Sequence, residues 1–367
     1  MIINTEDISV VVQGAIDQKY TAGCLKSIRK YLPGSEIILS TWEGSNVAGL
    51  DYDILLLNND PGSNELMRKY PKQHINNINR QIISSYNGFR KANRKYGLKL
   101  RSDMLIQGLG FLKYYSKYGN DCTQNSYFKQ RILADFVDKY ASYVVGDWWC
   151  FGLTDDLKEY YNIPLYNYKL SEEYFLVEEN YNKRYKLCDV ICRYIPEQWF
   201  VIQNILKFDK DINYEHFYDF NNVNKNKSDQ FIANNIIPLH NFLSNIILPN
   251  YSYRYTIFYY TYHFSILEWY NLCTKNNLNL KKLNVITKII LSIKYNFIYY
   301  LYNIKKNFYH TQNYIYIVRA FFKSYSNKIK PNKYINNIHK DEITFIIYDE
   351  SKDINIYKEY LLFIRQY

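Results

Sequence analysis

Between Glu268 and Asp341 the chain lacks any acidic residue, although thirteen cations lie inside that interval, from Lys275 to Lys340. They exceed the net charge of +11 carried by all 367 residues, so the rest of the chain is close to neutral. The positive charge is regional, and a regional basic stretch speaks of a surface partner rather than of fold. Long apolar runs are lacking as well. The segment "NVITKIILSIKYNFIYYLYNI" is broken by Lys288 and Lys294, which argues against a spanning helix. "MIINTEDISVVVQG" has neither the basic start nor the apolar core of a signal peptide. The expectation is a cytoplasmic protein with reduced thiols. Its cysteines (Cys24, Cys122, Cys150, Cys188, Cys192 and Cys273) show no framework spacing, and the close pair Cys188 and Cys192 has no partner pair for zinc.

Several chemistries are excluded by missing motifs. "QGLGFL" (107–112) holds Gly108 and Gly110 but not the third glycine of a dinucleotide fingerprint, and there is no Gly-Lys-Ser/Thr phosphate loop. No G-x-S-x-G elbow exists for a serine hydrolase. The histidines His74, His216, His240, His263, His310 and His339 show no pairing at metal-ligand spacing.

What is present in the first half is an alternation of short apolar runs with helical patterns, which predicts an α/β fold with a mostly parallel sheet. "ISVVVQG", "EIILSTW" (36–42) and "DILLLN" (53–58) read as strands. Thr21 caps a helix that carries Leu25, Ile28 and Leu32 inward and stops at Pro33-Gly34. A longer helix carries Ile75, Ile78, Ile82, Tyr86 and Phe89 and leads into the strand "KYGLKLRSDMLIQ" (95–107). Helices are expected around 108–118 and 127–140, a strand over 143–152, and a helix after Thr154 with Asp155 and Asp156 in its first turn. Residues 221–229 read as a loop, 241–273 and 283–325 as mainly helical, and 341–351 as a late strand. In 283–306, Ile286, Ile289, Ile290, Ile293, Phe297 and Ile304 fall largely on one side of a helix. Such a basic amphipathic helix suits an anionic lipid surface, or simply a solvated face packed on its own domain.

In open α/β sheets ligands bind beyond the carboxyl ends of the strands. Polar residues at those ends are Gln13 and Gly14, Thr41 and Trp42, Asn58 to Asp60, and Arg101 to Asp103. A flat aromatic, a glycine turn, cations and an acid suit a nucleoside diphosphate, with Arg80, Lys99 or Arg101 offsetting phosphate charge. Asp103 is the candidate ligand for Mg²⁺ or Mn²⁺, which take oxygen ligands alongside substrate phosphates. The competing reading makes Lys99, Arg101 and Asp103 the solvated face of an edge strand. Asp147 is flanked by apolar residues, so desolvation is expected to raise its pKa toward a useful value for acid–base work.

"VVVQGAI", "TAGCLKSIRKYLPGSEIILSTWEGS", "LDYDILLLNNDPG", "NINRQIISSYNGFRKANRKYGLKLRSDM", "GDWWCFGLTDDL" and "IPEQWF" together resemble the WavE-type lipopolysaccharide biosynthesis family, over roughly residues 7 to 205. The resemblance implies a bacterial glycosyltransferase with a Rossmann-like, GT-A-like nucleotide-sugar-binding domain, expected over 1–240; the mainly helical basic region expected over 241–367 rests on composition and pattern alone, outside the resemblance. The resemblance implies that "RSD" stands where GT-A enzymes carry a metal-binding Asp-x-Asp, with Arg101 in the place of the first Asp and Asp103 in the last. Glu197, after Pro196, has the position of the base in inverting members, and Asp147 is the second acid. The implied partners are a nucleotide-diphosphate sugar, a glycan or lipid-linked acceptor of lipopolysaccharide or capsule, and the inner face of the cytoplasmic membrane. No nucleic acid is expected, because the cations lie in no recognisable RNA or DNA module. The rival reading is a basic binding protein for an acidic polymer or nucleic acid.

Overall fold

Ile8–Gln13, the first apolar run, is buried at every position and forms β1, an interior strand of the sheet. Burial on both faces explains why the run does not alternate with polar residues. In the computed structural model, the described residues are 2–62, 64–66, 74–120, 125–177, 193–216, 219, 221–249, 263–276, 278, 280, 288–289 and 292. The chain divides into a unit spanning Met1–Tyr295 and a second spanning Asn296–Tyr367, and the described residues all belong to the first. The expected helix over 283–325 falls almost wholly outside the described residues, and the strand over 341–351 wholly outside them.

After β1 come α1 (Thr21–Tyr31), β2 (Glu36–Trp42), β3 (Ile54–Asn58), a small pair β4 (Asn64–Leu66) and β5 (His74–Asn76), and α2 (Ile78–Lys91). Then follow β6 (Tyr96–Arg101), β7 (Leu105–Ile106), α3 (Gly110–Tyr118), β8 (Ile132–Ala134), β9 (Trp149–Leu153), α4 (Thr154–Tyr161) and α5 (Lys169–Leu176). The remaining elements are α6 (Pro196–Leu206), α7 (Asn222–Asn235), β10 (Ile236–Pro238), α8 (Asn241–Ser244), β11 (Ile246–Ile247) and α9 (Ile266–Lys275).

Seven strands make the main sheet, in the order β10-β8-β9-β6-β1-β2-β3. All pairings are parallel except those of β9, which runs antiparallel to both β6 and β8. The carboxyl ends of β3, β2, β1, β6, β8 and β10 therefore share one edge with the start of β9. Helix α2 lies on one face so closely that a Cβ at Gly88 would come within 2.3 Å of Val11 Cγ1. On the same face, Gly97 leaves room for Phe89 and Leu157, from α2 and α4. The opposite face carries the α3 aromatics, with Phe111 and Tyr115 packed edge-on against Phe151.

Several expectations are corrected. Residues 127–140 contain β8 rather than a helix, because Ile132, Leu133 and Ala134 form a short strand buried on both faces, whose pattern has no distinctive period. Residues 221–229 are no loop but the first half of α7. In this first half the inward residues are the polar Asn224 and Ser228, and Asn235 is buried at the far end beyond Phe231, Ile232 and Ala233, so the hydrophobic pattern begins only halfway along the helix. The side chains of Asn224, Ser228 and Asn235 accept hydrogen bonds from Tyr143 Oη, Tyr143 N and Tyr127 N respectively. The strand expected over 143–152 is confined to Trp149–Leu153, Ile75 lies in β5 ahead of the helix, and Leu105 belongs to the separate β7. The helical content of 241–273 amounts, among the described residues, to α8 and most of α9.

Candidate functional site at the carboxyl edge of the sheet

β6 is interior, hydrogen-bonded to β1 on one side and β9 on the other, which rules out the solvated edge strand for Lys99 and Arg101. Strand alternation does place Lys99 and Arg101 on one face, and they do different things. Lys99 has no exposed surface. Its ammonium donates to the main-chain carbonyl of Asp147 and, at 3.3 Å, to Gln81 Oε1, and it lies 5.7 Å from the centroid of the Tyr161 ring. Burial holds its pKa below the usual lysine value, an effect opposed by Asp147. Arg101, one step nearer the edge, is partly exposed and forks onto Asp103, with Nε to Oδ1 at 3.0 Å and Nη2 to Oδ2 at 2.8 Å. The planar fork matches the carboxylate and leaves one face of the pair to solvent.

The other strand ends form the wall beside this pair. Gly14, at φ +114°, lets the chain turn out of β1, while Ser102 N donates to Gln13 O and Ser102 Oγ to Ala15 O. Gln13 Oε1 accepts from Ser84 Oγ at 2.8 Å, and Asn58 Nδ2 reaches both Ser40 Oγ and Thr41 O at 2.9 Å. Thr41 is fully buried against Ser45, and Trp42 is nearly so. Asp60 and Arg80 make a second bidentate pair at 2.7 and 2.6 Å, tying the turn after β3 to the first turn of α2. The guanidinium holds Asp60 below the usual carboxylate range. Gln13, Gly14, Thr41, Trp42, Asp60, Arg80, Arg101 and Asp103 thus all belong to this edge, with Thr41 and Gln13 lying under it rather than on it.

Across β6 from that wall stand the acids. Asp147 precedes β9 and is nearly buried; its Oδ2 accepts from Gln81 Nε2. Gln81 therefore bridges Lys99 and Asp147 with the two ends of one amide. Glu197 lies in the first turn of α6, which Pro196 opens, a position where a carboxylate complements the helix dipole. A third acid, Asp135, follows β8 and was not among the sequence candidates. It has no exposed surface, and neither carboxyl oxygen has a hydrogen-bond partner. Burial, then Asp147 and more weakly Glu197, pushes its pKa well above the usual carboxylate value, against the pull of Lys99. A carboxylate in the apolar run "ILADFV" was the available signal, hidden by the helical reading of that stretch.

A resident divalent cation fits this edge poorly. Both oxygens of Asp103 already accept N–H groups from Arg101, and no group of three metal-ligating side chains is gathered among the described residues.

The architecture defines an α/β protein with a polar site at the carboxyl edge of a mostly parallel sheet. The family model of WavE lipopolysaccharide synthesis matches residues 8–302, and the chain belongs to that family. No curated protein matches it. Among solved structures it is similar to HddC from Yersinia pseudotuberculosis, with 10% identity, covering 41% of this chain and 78% of that one at a TM-score of 0.23, a likeness too slight to carry an argument. Among the described residues no helix is long and apolar enough to cross a membrane.

Proposed function

We propose that the chain is a glycosyltransferase of the GT-A type, moving a sugar from a nucleotide-diphosphate donor to a growing surface glycan, lipopolysaccharide or capsule. The observation that supports this reading is that a partly exposed guanidinium, Arg101 at the end of β6, and Asp147, just ahead of β9, lie at one sheet edge, with Asp147 and Glu197 both acting on the Asp135 carboxyl beside it. A leaving diphosphate needs the guanidinium and an attacking hydroxyl needs an acid. Glu197 takes the proton of the acceptor hydroxyl as its oxygen attacks the anomeric carbon. The bond from that carbon to the diphosphate oxygen breaks, and the electron pair leaves with the diphosphate, where Arg101 and Arg80 offset its charge. Asp147 holds donor-sugar hydroxyls or orients the acceptor. Because the Arg101 fork already occupies Asp103, no step is routed through a metal.

A panel of nucleoside diphosphates and their sugar conjugates, screened by thermal shift, tests the donor class. A ligand that binds only the folded chain raises its melting temperature, by an amount equivalent to about 2.7 kcal/mol at a hundredfold excess over Kd. At least one nucleotide sugar is expected to do so, and no shift across the panel would overturn the reading.

The acid-free interval gives the reading its place of work, at the inner face of the cytoplasmic membrane. Each lysine or arginine close to an anionic surface contributes about 1 kcal/mol at moderate salt. Sedimentation with anionic vesicles is expected to carry the full chain down, and neutral vesicles are expected to leave it in solution. Equal binding to both would remove the electrostatic argument.

A further inference from the structure

Asp135 is a buried ionisable group that the proposed transfer does not use, and its surroundings are unusual in three respects. It stands at the carboxyl end of β8, on the same sheet edge as Asp147 and Arg101, although no part of it is exposed. Both carboxyl oxygens lack a hydrogen-bond partner. The backbone is also shaped around it. A Cβ on Gly146 would fall 1.8 Å from Asp135 Oδ1, so the residue before Asp147 must be glycine for the carboxyl to lie where it does. The intervening loop is pinned at its base, by Gly146 N to Phe136 O at 2.8 Å, and near its tip by Tyr143, whose amide reaches Ser228 on α7.

The titratable groups that act on this carboxyl come from four neighbouring elements. They are Asp147 ahead of β9, Cys150 within it, Lys99 on β6, Tyr160 on α4 and Glu197 on α6. Lys99 is the single cation among them, and its ammonium is already directed to the Asp147 carbonyl and Gln81. A fully buried ionised carboxylate with no hydrogen bond from a protein partner is the most costly state such a group can adopt, and a neutral acid is much less so. Three ionised acids around one lysine would compound that cost.

We infer that Asp135 stands as a neutral carboxylic acid beneath Asp147 and Glu197, a positioning residue that packs Gly146 and the Asp147 loop without adding a third negative charge to the site. One proton is thereby kept on the acid that substrate cannot reach. The two acids nearer the edge are left for the transfer itself, Glu197 to accept the acceptor's proton and Asp147 to hold hydroxyls. Its place in transfer rests on the proposed glycosyltransferase reading; its protonation does not, and the two are tested separately.

The first test needs no substrate. Asp135→Asn is close to isosteric with the neutral acid and cannot ionise. In the wild type the folded chain keeps a proton on Asp135 that the unfolded chain releases above its ordinary value of about 3.9. The wild type therefore loses stability relative to Asp135→Asn as pH rises from that value toward the folded-state pKa, and the gap stays at its largest above it. Urea midpoints of the two full-length chains, measured between pH 4 and 8, are expected to diverge in that direction. A constant difference, or a wild type that gains on the variant with rising pH, would overturn the inference.

Should the variant not fold, the wild-type chain carries the test. At pH 7, the pH of the transfer assay, an infrared carbonyl band of a protonated carboxylic acid is expected beyond any residual signal from Asp138, which burial pushes up to about 6, and its absence would overturn the inference. In the transfer assay at pH 7, Asp135→Asn is expected to keep kcat and KM close to wild type. A fall of about 10²-fold or more would make Asp135 an ionised participant and end the positioning assignment. Failure of every nucleotide sugar to bind would remove the transferase reading while leaving the protonation result standing.

Discussion

Glu197→Gln is expected to lower turnover by about 10²–10⁴-fold while leaving the affinity for the nucleotide donor nearly unchanged, because a positioned base acts in the transition state and not in donor binding. The glutamine keeps the length and hydrogen-bonding shape of the side chain in the first turn of α6, so packing at Pro196 and Trp199 is retained. Only the ability to take a proton is lost. Asp147→Asn differs, since the Asp147 carboxylate is a hydrogen-bond acceptor for Gln81, and an amide there is expected to raise KM as well as lower kcat. The anomeric configuration of the product, read by NMR, decides the mechanism. Inversion agrees with a carboxylate base opposite the leaving group, and retention would recast Glu197 as a ligand for sugar.

Arg101→Ala is expected to cost about 10²–10³-fold in turnover, the scale for losing a preorganised group that meets developing negative charge. It also leaves the Asp103 carboxylate, 13% exposed, without its fork and facing the donor diphosphate. Arg101→Lys is expected to recover only part of the loss, since an ammonium cannot hold Asp103 by two parallel N–H bonds. Excess EDTA separates this from metal catalysis. Turnover in its presence is expected to stay unchanged, with Asp103→Ala milder than Arg101→Ala. Abolished activity, together with an equal loss in both variants, would assign the work to a cation on Asp103.

The strands β1, β2 and β3 were legible because each is a run of Val, Ile or Leu bounded by turn residues, and their bounds fall within a residue of the expected ones, whereas β6 starts within a residue of the expected position but ends at Arg101, six residues before the expected end at 107. The polar residues at their ends followed from the topology rule, and that wall of the site was readable for the same reason. The acid side was readable only in part. Asp147 and Glu197 stood next to recognisable blocks, whereas Asp135 sits after a three-residue strand that no periodicity marks. Helix α7 escaped because buried Asn and Ser satisfy one another's neighbours through hydrogen bonds instead of apolar contact. Lys99 shows the limit of pattern in another way. Alternation assigned its face correctly, but only the packing of Gln81 and Tyr161 over it reveals that the cation supports Asp147 from below.

The pairing of β10 with β8 joins Ile236 to Ile132, about a hundred residues apart in sequence. Contacts of such separation are slow to form, since the closure entropy of the intervening chain must be overcome first. During synthesis the strands from β1 to β9 emerge while β8 still presents an open, apolar edge, and a ribosome-bound or truncated chain ending before Ile236 would expose it. Such chains are expected to be recovered by chaperones or in aggregates, and the three-residue β10 thereby acts as the late-arriving cover for the edge of β8.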